Sequence, residues 1–258
     1  MTRRFALTIA ALLTTLSVVL AGCQQAPAAP LLTDPTEILT ETIVSLKDVT
    51  TVEFTGTFSG EIEAAELGGS FDLSTVKMNG ALDLPNRKGR FVLDAPALLG
   101  TNIEALLVGD TAYYKVAGML GGMLGASADT YTEVAVPESS GEPITDPAEI
   151  AKAVEEIRKG LAELPNAPTK SADEACGDQT CYHVTLTASG EQLQALDPTA
   201  AAAGDVTFDI WTRQSDRLPA KIQIASDSPE MGTVGLTIDF RYGVPVNVEA
   251  PPADEIAE

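Results

Sequence analysis

The apolar positions of this chain follow two periods. Val52, Phe54, Phe58 and Ile62 are separated by Glu53, Thr55, Thr57, Ser59 and Glu61, the period-two pattern of a strand with one dry and one wet face. Tyr182, Val184 and Leu186 alternate with His183, Thr185 and Thr187 in the same way, and Val206, Phe208 and Ile210 alternate with Thr207 and Asp209. Ile222 and Ile224 follow the turn Asp216-Arg217-Leu218-Pro219. Val234, Leu236, Ile238 and Phe240 then alternate with Thr233, Thr237, Asp239 and Arg241. Gly109-Asp110 divides the apolar runs Ile103 to Val108 and Thr111 to Val116, which reads as a hairpin turn.

Helical signals are fewer. Thr33-Asp34-Pro35-Thr36-Glu37-Ile38 and Thr145-Asp146-Pro147-Ala148-Glu149-Ile150 share the spelling T-D-P-x-E-I. Asp at the cap accepts from free backbone N–H groups, and Pro at the first position gives up no needed donor. These starts predict helices over Pro35 to Leu46 and Pro147 to Leu164. In the second, Ile150, Val154, Ile157 and Leu161 share one face. A third short helix is expected over Ser189 to Leu196. Together the pattern predicts an α+β fold with a single curved antiparallel sheet of about ten strands. Its dry face needs a cover, and the two T-D-P helices and the segment from Gly118 to Gly125 are the candidates.

Composition fits such a core. Of 258 residues 45% are hydrophobic but only 5% aromatic, so aliphatic side chains must fill it. The formal net charge of -21, with no basic run longer than Arg87-Lys88, excludes nucleic-acid binding.

The first segment has its own logic. Arg3 and Arg4 precede an apolar stretch from Phe5 to Leu20, and small residues lead into Cys23. This is the layout of a secretory signal peptide, too short for a membrane span. Its end, Leu20-Ala21-Gly22-Cys23, resembles the lipobox of bacterial lipoproteins. The resemblance implies cleavage after residue 22, acyl chains (palmitate among them) on Cys23, and anchoring of the exported chain to the outer face of the cell membrane. The alternative is a plain cleaved signal with an incidental cysteine. Residues 23–33 then read as a lipidated, flexible tether, residues 34–250 as the folded domain, and residues 251–258 as a loose acidic tail.

Cys176 and Cys181 remain, in Cys-Gly-Asp-Gln-Thr-Cys. An exported chain lives where disulfides persist, and a short turn closes this spacing, so a Cys176–Cys181 bridge is expected. A zinc site is the rival, but His183 is the only histidine, and no metal or cofactor is expected. Catalytic sets are missing as well. There is no G-x-S-x-G, and Ser74-Thr75-Val76-Lys77 fits S-x-x-K in a strand region rather than at a helix start. No enzyme activity is expected.

The order of elements carries a resemblance. A late strand reads Val206-Thr207-Phe208-Asp209-Ile210-Trp211-Thr212 and leads through Leu218-Pro219 into Lys221-Ile222-Gln223-Ile224. The chain closes on Phe240-Arg241-Tyr242-Gly243-Val244-Pro245-Val246 and Val248-Glu249-Ala250-Pro251. With Tyr113-Tyr114-Lys115-Val116 and Tyr131-Thr132-Glu133-Val134, this resembles the LppX/LprG-type lipoproteins, and more distantly the LolA/LolB carriers. The resemblance implies an open half-barrel sheet with helices covering its concave apolar face. It also implies an acyl lipid or glycolipid as ligand, carried or presented in the cell envelope. No side chain maps over as a ligand. Wall candidates for such a cavity are Leu98, Leu99, Ile103, Leu106, Met119, Leu120, Met123, Leu124, Ile150, Val154, Ile157 and Leu161. Each reads equally as filled core. A membrane transporter as partner is left open, and a non-carrier envelope sensor or scaffold is the rival function.

Gly118-Met119-Leu120-Gly121-Gly122-Met123-Leu124-Gly125 is one tetrad written twice. As a helix it would place Met119, Leu120, Met123 and Leu124 on one face and the glycines on the other. Three roles stand open for it: an apolar lid over the sheet, a buried helix packed through its glycines, or a membrane-touching loop.

Overall fold

The computed structural model describes residues 30–64, 69–136, 147–163, 166–192, 204–228 and 232–257. The strands are β1 (Thr51–Ala64), β2 (Gly69–Asp72), β3 (Lys77–Asp83), β4 (Lys88–Ala95), β5 (Thr101–Val108), β6 (Thr111–Ala117) and β7 (Thr132–Ala135). They continue with β8 (Thr169–Lys170), β9 (Glu174–Cys176), β10 (Gln179–Ala188), β11 (Asp205–Arg213), β12 (Pro219–Ser228) and β13 (Gly232–Tyr242). The helices are α1 (Pro35–Ser45), α2 (Gly118–Leu124) and α3 (Pro147–Glu163).

All thirteen strands belong to one antiparallel sheet in the order β7-β6-β5-β4-β3-β1-β13-β12-β11-β10-β8, with β2 on β1 and β9 on β10. The sheet is curved and unclosed, the half-barrel that was expected. It has thirteen strands rather than about ten. The difference lies among β2, β7, β8 and β9, which are two to four residues long and too short to show a period. The hairpin at Gly109-Asp110 joins β5 to β6, with Gly109 at φ +62°, which glycine adopts without a Cβ penalty.

Helix α1 starts where its cap dictates. Asp34 Oδ1 accepts from the Glu37 N–H at 2.9 Å, and Pro35 opens the first turn. Ile38 and Leu39 are buried against Tyr182 and Val184 of β10, with Leu32 completing the cluster and Leu161 of α3 packed on it. Inside this contact, Thr42 Oγ1 and Thr212 Oγ1 hydrogen-bond at 2.7 Å, which satisfies two buried hydroxyls. The Tyr182 hydroxyl accepts from the Leu32 N–H at 2.9 Å and from Arg217 at 3.0 Å. Leu32 is therefore packed, although it falls within the expected tether. A second buried cluster, Leu73, Val76 and Ala95, takes in Phe58, Ile62, Leu93, Leu98 and Val234.

The tail is not loose as expected. Its backbone pairs with Tyr131: the Tyr131 N–H donates to Glu255 O at 2.7 Å, and the Ala257 N–H donates to Tyr131 O at 2.8 Å. The third predicted helix is described only from Gly190 to Gln192, and the rest of it lies outside the described residues. The expected signal peptide and Cys23 also lie outside them.

Candidate functional site

Strand register sorts the sheet into two faces, because neighbours across a ladder point the same way. One transverse row runs Val184, Ile210, Ile222, Ile238, Gly56, Met78, Leu93, Ile103, Val116, across nine strands from β10 to β6. No member is polar. Gly56 supplies no side chain, and the Met78 side chain fills the space its Cβ would take. The row on one side holds Leu186, Phe208, Ile224, Leu236 and Phe58. The row on the other runs Phe54, Gly80, Phe91, Ala105, Tyr114, with the Phe54 ring lying over Gly80.

This face is sealed only in places. Val184 is buried beneath α1 and Val116 is buried beside α2. Between them Ile210, Ile222, Ile238, Met78, Leu93 and Ile103 are all half-buried. The middle of the apolar face is thus a trough floored by aliphatic and aromatic side chains, with no charge in its three central rows. Such a surface can hold an apolar ligand by area alone.

The residue row on the opposite face runs His183, Trp211, Lys221, Asp239, Thr55, Asn79, Val92, Glu104, Lys115. Several polar groups here are paired. His183 bonds Glu174 through Nδ1 at 3.0 Å and Asp209 through Nε2 at 2.8 Å, and its ring stacks on Trp211 at 4.3 Å. The Trp211 indole N–H donates to Glu174 at 3.0 Å and, with His183, holds that carboxyl below its usual value. Burial pushes the Glu104 carboxyl up, but Lys115, Arg90 and Tyr131 outweigh it and hold the group below the usual carboxylate value. Among the described residues, clefts open on this side. One of about 630 Å³ lies beside the bridged turn, against Trp211, Lys221 and Tyr242. Another, of about 290 Å³, lies under Pro245 to Val248. Burial raises the Tyr242 phenol well above its ordinary value. Cys176 and Cys181 are disulfide-bonded, with Cα atoms 5.8 Å apart, so neither offers a thiolate to zinc.

The twelve wall candidates do not converge. Ile103 stands in the central row of the apolar face. Leu98 packs on the Leu73 cluster, and Leu161 packs beside Ile38. Leu106 pairs with Arg90 and Tyr113, which places it on the polar face, because it stands three positions after Ile103 and strand side chains alternate. Leu99, Met119, Leu120 and Met123 are 36%, 53%, 37% and 75% exposed and so do not cover the trough. Val154 is half-buried on α3. The side chains of Leu124, Ile150 and Ile157 lie outside the described set. The trough floor was legible in the alternation itself, since Phe54, Ile222, Leu236 and Ile238 mark the dry positions, but no wall residue was drawn from it.

Helix α2 is held close through two of its glycines, Gly118 and Gly121. A Cβ on Gly121 would lie 2.1 Å from the Val116 carbonyl oxygen, and one on Gly118 would lie 2.5 Å from that of Gly100. The helix ends on Gly125 at φ +66°, and the Ala126 N–H bonds back to Gly121 O at 2.9 Å. The backbone thus packs closely at Gly118 and Gly121, while the Met119, Leu120 and Met123 side chains are exposed.

No family model matches the sequence, and no curated protein matches it. Solved structures match in fold. The lipoprotein LppX of Mycobacterium tuberculosis is 13% identical, with 83% of this chain and 98% of that chain aligned and a TM-score of 0.51. LprF of Mycobacterium bovis is 16% identical over 84% of this chain and 96% of that one, with a TM-score of 0.45. The likeness to LppX concerns the fold: the open sheet derived above is also the sheet of a lipoprotein.

Proposed function

We propose that this chain is an exported lipoprotein, anchored to the outer face of the cell membrane through acylated Cys23. It binds acyl lipid or glycolipid on the apolar face of its sheet and carries or presents it in the envelope. The observation that carries this reading is the uncharged, half-buried middle of the nine-strand row from Val184 to Val116. Each lipid CH₂ removed from water there contributes about 0.8 kcal/mol, so an acyl chain of about a dozen carbons gains enough to bind without any charged contact. The shared fold with a lipoprotein and the lipobox at Leu20-Ala21-Gly22-Cys23 support the reading.

The test uses the chain beginning at Gln24, which keeps every helix and strand described above. Organic extraction of the purified protein followed by mass spectrometry is expected to release acyl lipid in near-stoichiometric yield. Clean protein that also fails to bind a fluorescent fatty-acyl probe would sink the carrier reading and leave an envelope scaffold.

A further inference from the structure

Among the described residues seven large hydrophobic side chains are exposed, and four of them lie together. Leu99 belongs to the turn before β5, and Met119, Leu120 and Met123 to the helix after β6, the adjacent strand. The Met119 N–H donates to Leu99 O at 3.3 Å, so turn and helix form one surface. Its exposed area is on the order of a few hundred Å², large for an apolar patch with no role. The glycine contacts with Val116 and Gly100 hold the helix backbone close to the sheet, so the patch is displayed and not merely unfolded. Gly118 to Ala128 contains no charged residue, in a chain with net charge -21.

From this we infer that the α2 rim enters the interface of a zwitterionic bilayer and forms the port through which lipid reaches the trough. The inference rests on the proposed lipid-binding role. Three observations choose a bilayer as the occupant. First, the patch falls short of the roughly 800 Å² per partner that a stable protein interface buries, and α2 is only ~10 Å long. Second, eight residues separate Cys23 from packed Leu32, so an acylated Cys23 would hold the folded domain within ~30 Å of a bilayer. Third, the patch is continuous with the trough. Leu98, the neighbour of Leu99, packs on the cluster that takes in Leu93, and Val116, two residues before Gly118, ends the central row. Met suits the task, since its flexible thioether adapts to disordered acyl chains. The acidic remainder of the surface sets the lipid preference: anionic headgroups repel it.

Binding of the chain beginning at Gln24 to phosphatidylcholine vesicles, read by flotation, tests this directly. The double variant M119D/M123D is expected to lose binding roughly ten-fold or more, because interfacial affinity scales with buried apolar area. Leu46→Asp, an equally plain change at another exposed leucine (42%), is expected to leave it unchanged. Adding phosphatidylglycerol is expected to weaken the wild type. Circular dichroism and melting of each variant confirm that the fold persists. In the same preparations Ile238→Asp, on the trough floor, is expected to lose bound lipid yet still float. A wild type that does not float, binding that requires anionic lipid, or equal losses for Leu46→Asp and M119D/M123D would each overturn the inference. Self-association that M119D/M123D abolishes, without flotation, would do so too. A wild type that floats but never yields bound lipid would instead overturn the carrier role alone.

Discussion

Val184 and Ile238 stand in one row of the same sheet, separated by Ile210 and Ile222, and their surroundings differ. Val184 has no exposed surface, because α1 lays Ile38 and Leu39 across it. Ile238 is half-buried. Both are aliphatic residues on the dry side of an alternating strand, so the sequence pattern treats them alike. What separates them is the cover. One end of the face became core and the middle became a surface that a ligand can use. Alternation identifies a face that must leave water, and tertiary packing decides what removes it.

Matched truncations break or sharpen that contrast. Ile38→Ala in the sealed end should cost about 2–5 kcal/mol of stability, and Ile238→Ala in the trough about 1–2 kcal/mol, because a half-exposed site loses less transfer energy and leaves no closed cavity. Urea denaturation measures both, and equal costs would mean that the trough is packed core. On the rim, Gly121→Ala should cost about 1–3 kcal/mol, since its Cβ meets the Val116 carbonyl, while Gly122→Ala, with nothing within 4 Å, should gain up to about 1 kcal/mol. Opposite signs in thermal melts support a backbone-clamped α2, and the same sign for both contradicts it. Asp34→Ala should loosen the sealed end by about 1 kcal/mol through loss of the α1 cap.

The polar face should show itself in pH dependence. The Glu104 carboxyl is held below its ordinary value in the fold. Its contribution is therefore complete above about pH 4.3, the unfolded value, and is lost as pH falls through the lowered folded value. Acid titration of stability should show a shallower fall for Glu104→Gln than for the wild type. An unchanged slope would remove Glu104 from the account.

Much of this fold was legible in the chain. The T-D-P caps located α1 and α3, and alternation located β1, β10, β11, β12 and β13 with their dry sides, while β3 and β4 were not drawn from it. The Cys176–Cys181 bridge followed from compartment and spacing. The site was less legible, for physical reasons. Strands of two to four residues carry no period, so β2, β7, β8 and β9 were hidden. Wall candidates drawn from apolar runs mixed the faces, as Ile103 and Leu106 show, because a run of aliphatics does not declare which side each residue takes. The tail, Pro-Pro-Ala-Asp-Glu-Ile-Ala-Glu, shows no period, and its pairing with Tyr131 is made by backbone groups that any sequence possesses. In α2 three readings stood open, and nothing local said that Gly118 and Gly121 would approach the backbone while Met119 and Met123 faced outward.

The central claim is that acyl chain lies along the central apolar row. Photo-cross-linking with a diazirine-bearing fatty acid, followed by peptide mapping, tests it most directly. The account predicts labels at Ile222, Leu236, Ile238 and Met78, and none at their strand neighbours Gln223, Thr237 and Asn79. Labels spread evenly over both faces, or confined to the clefts beside Trp211 and Val248, would contradict it.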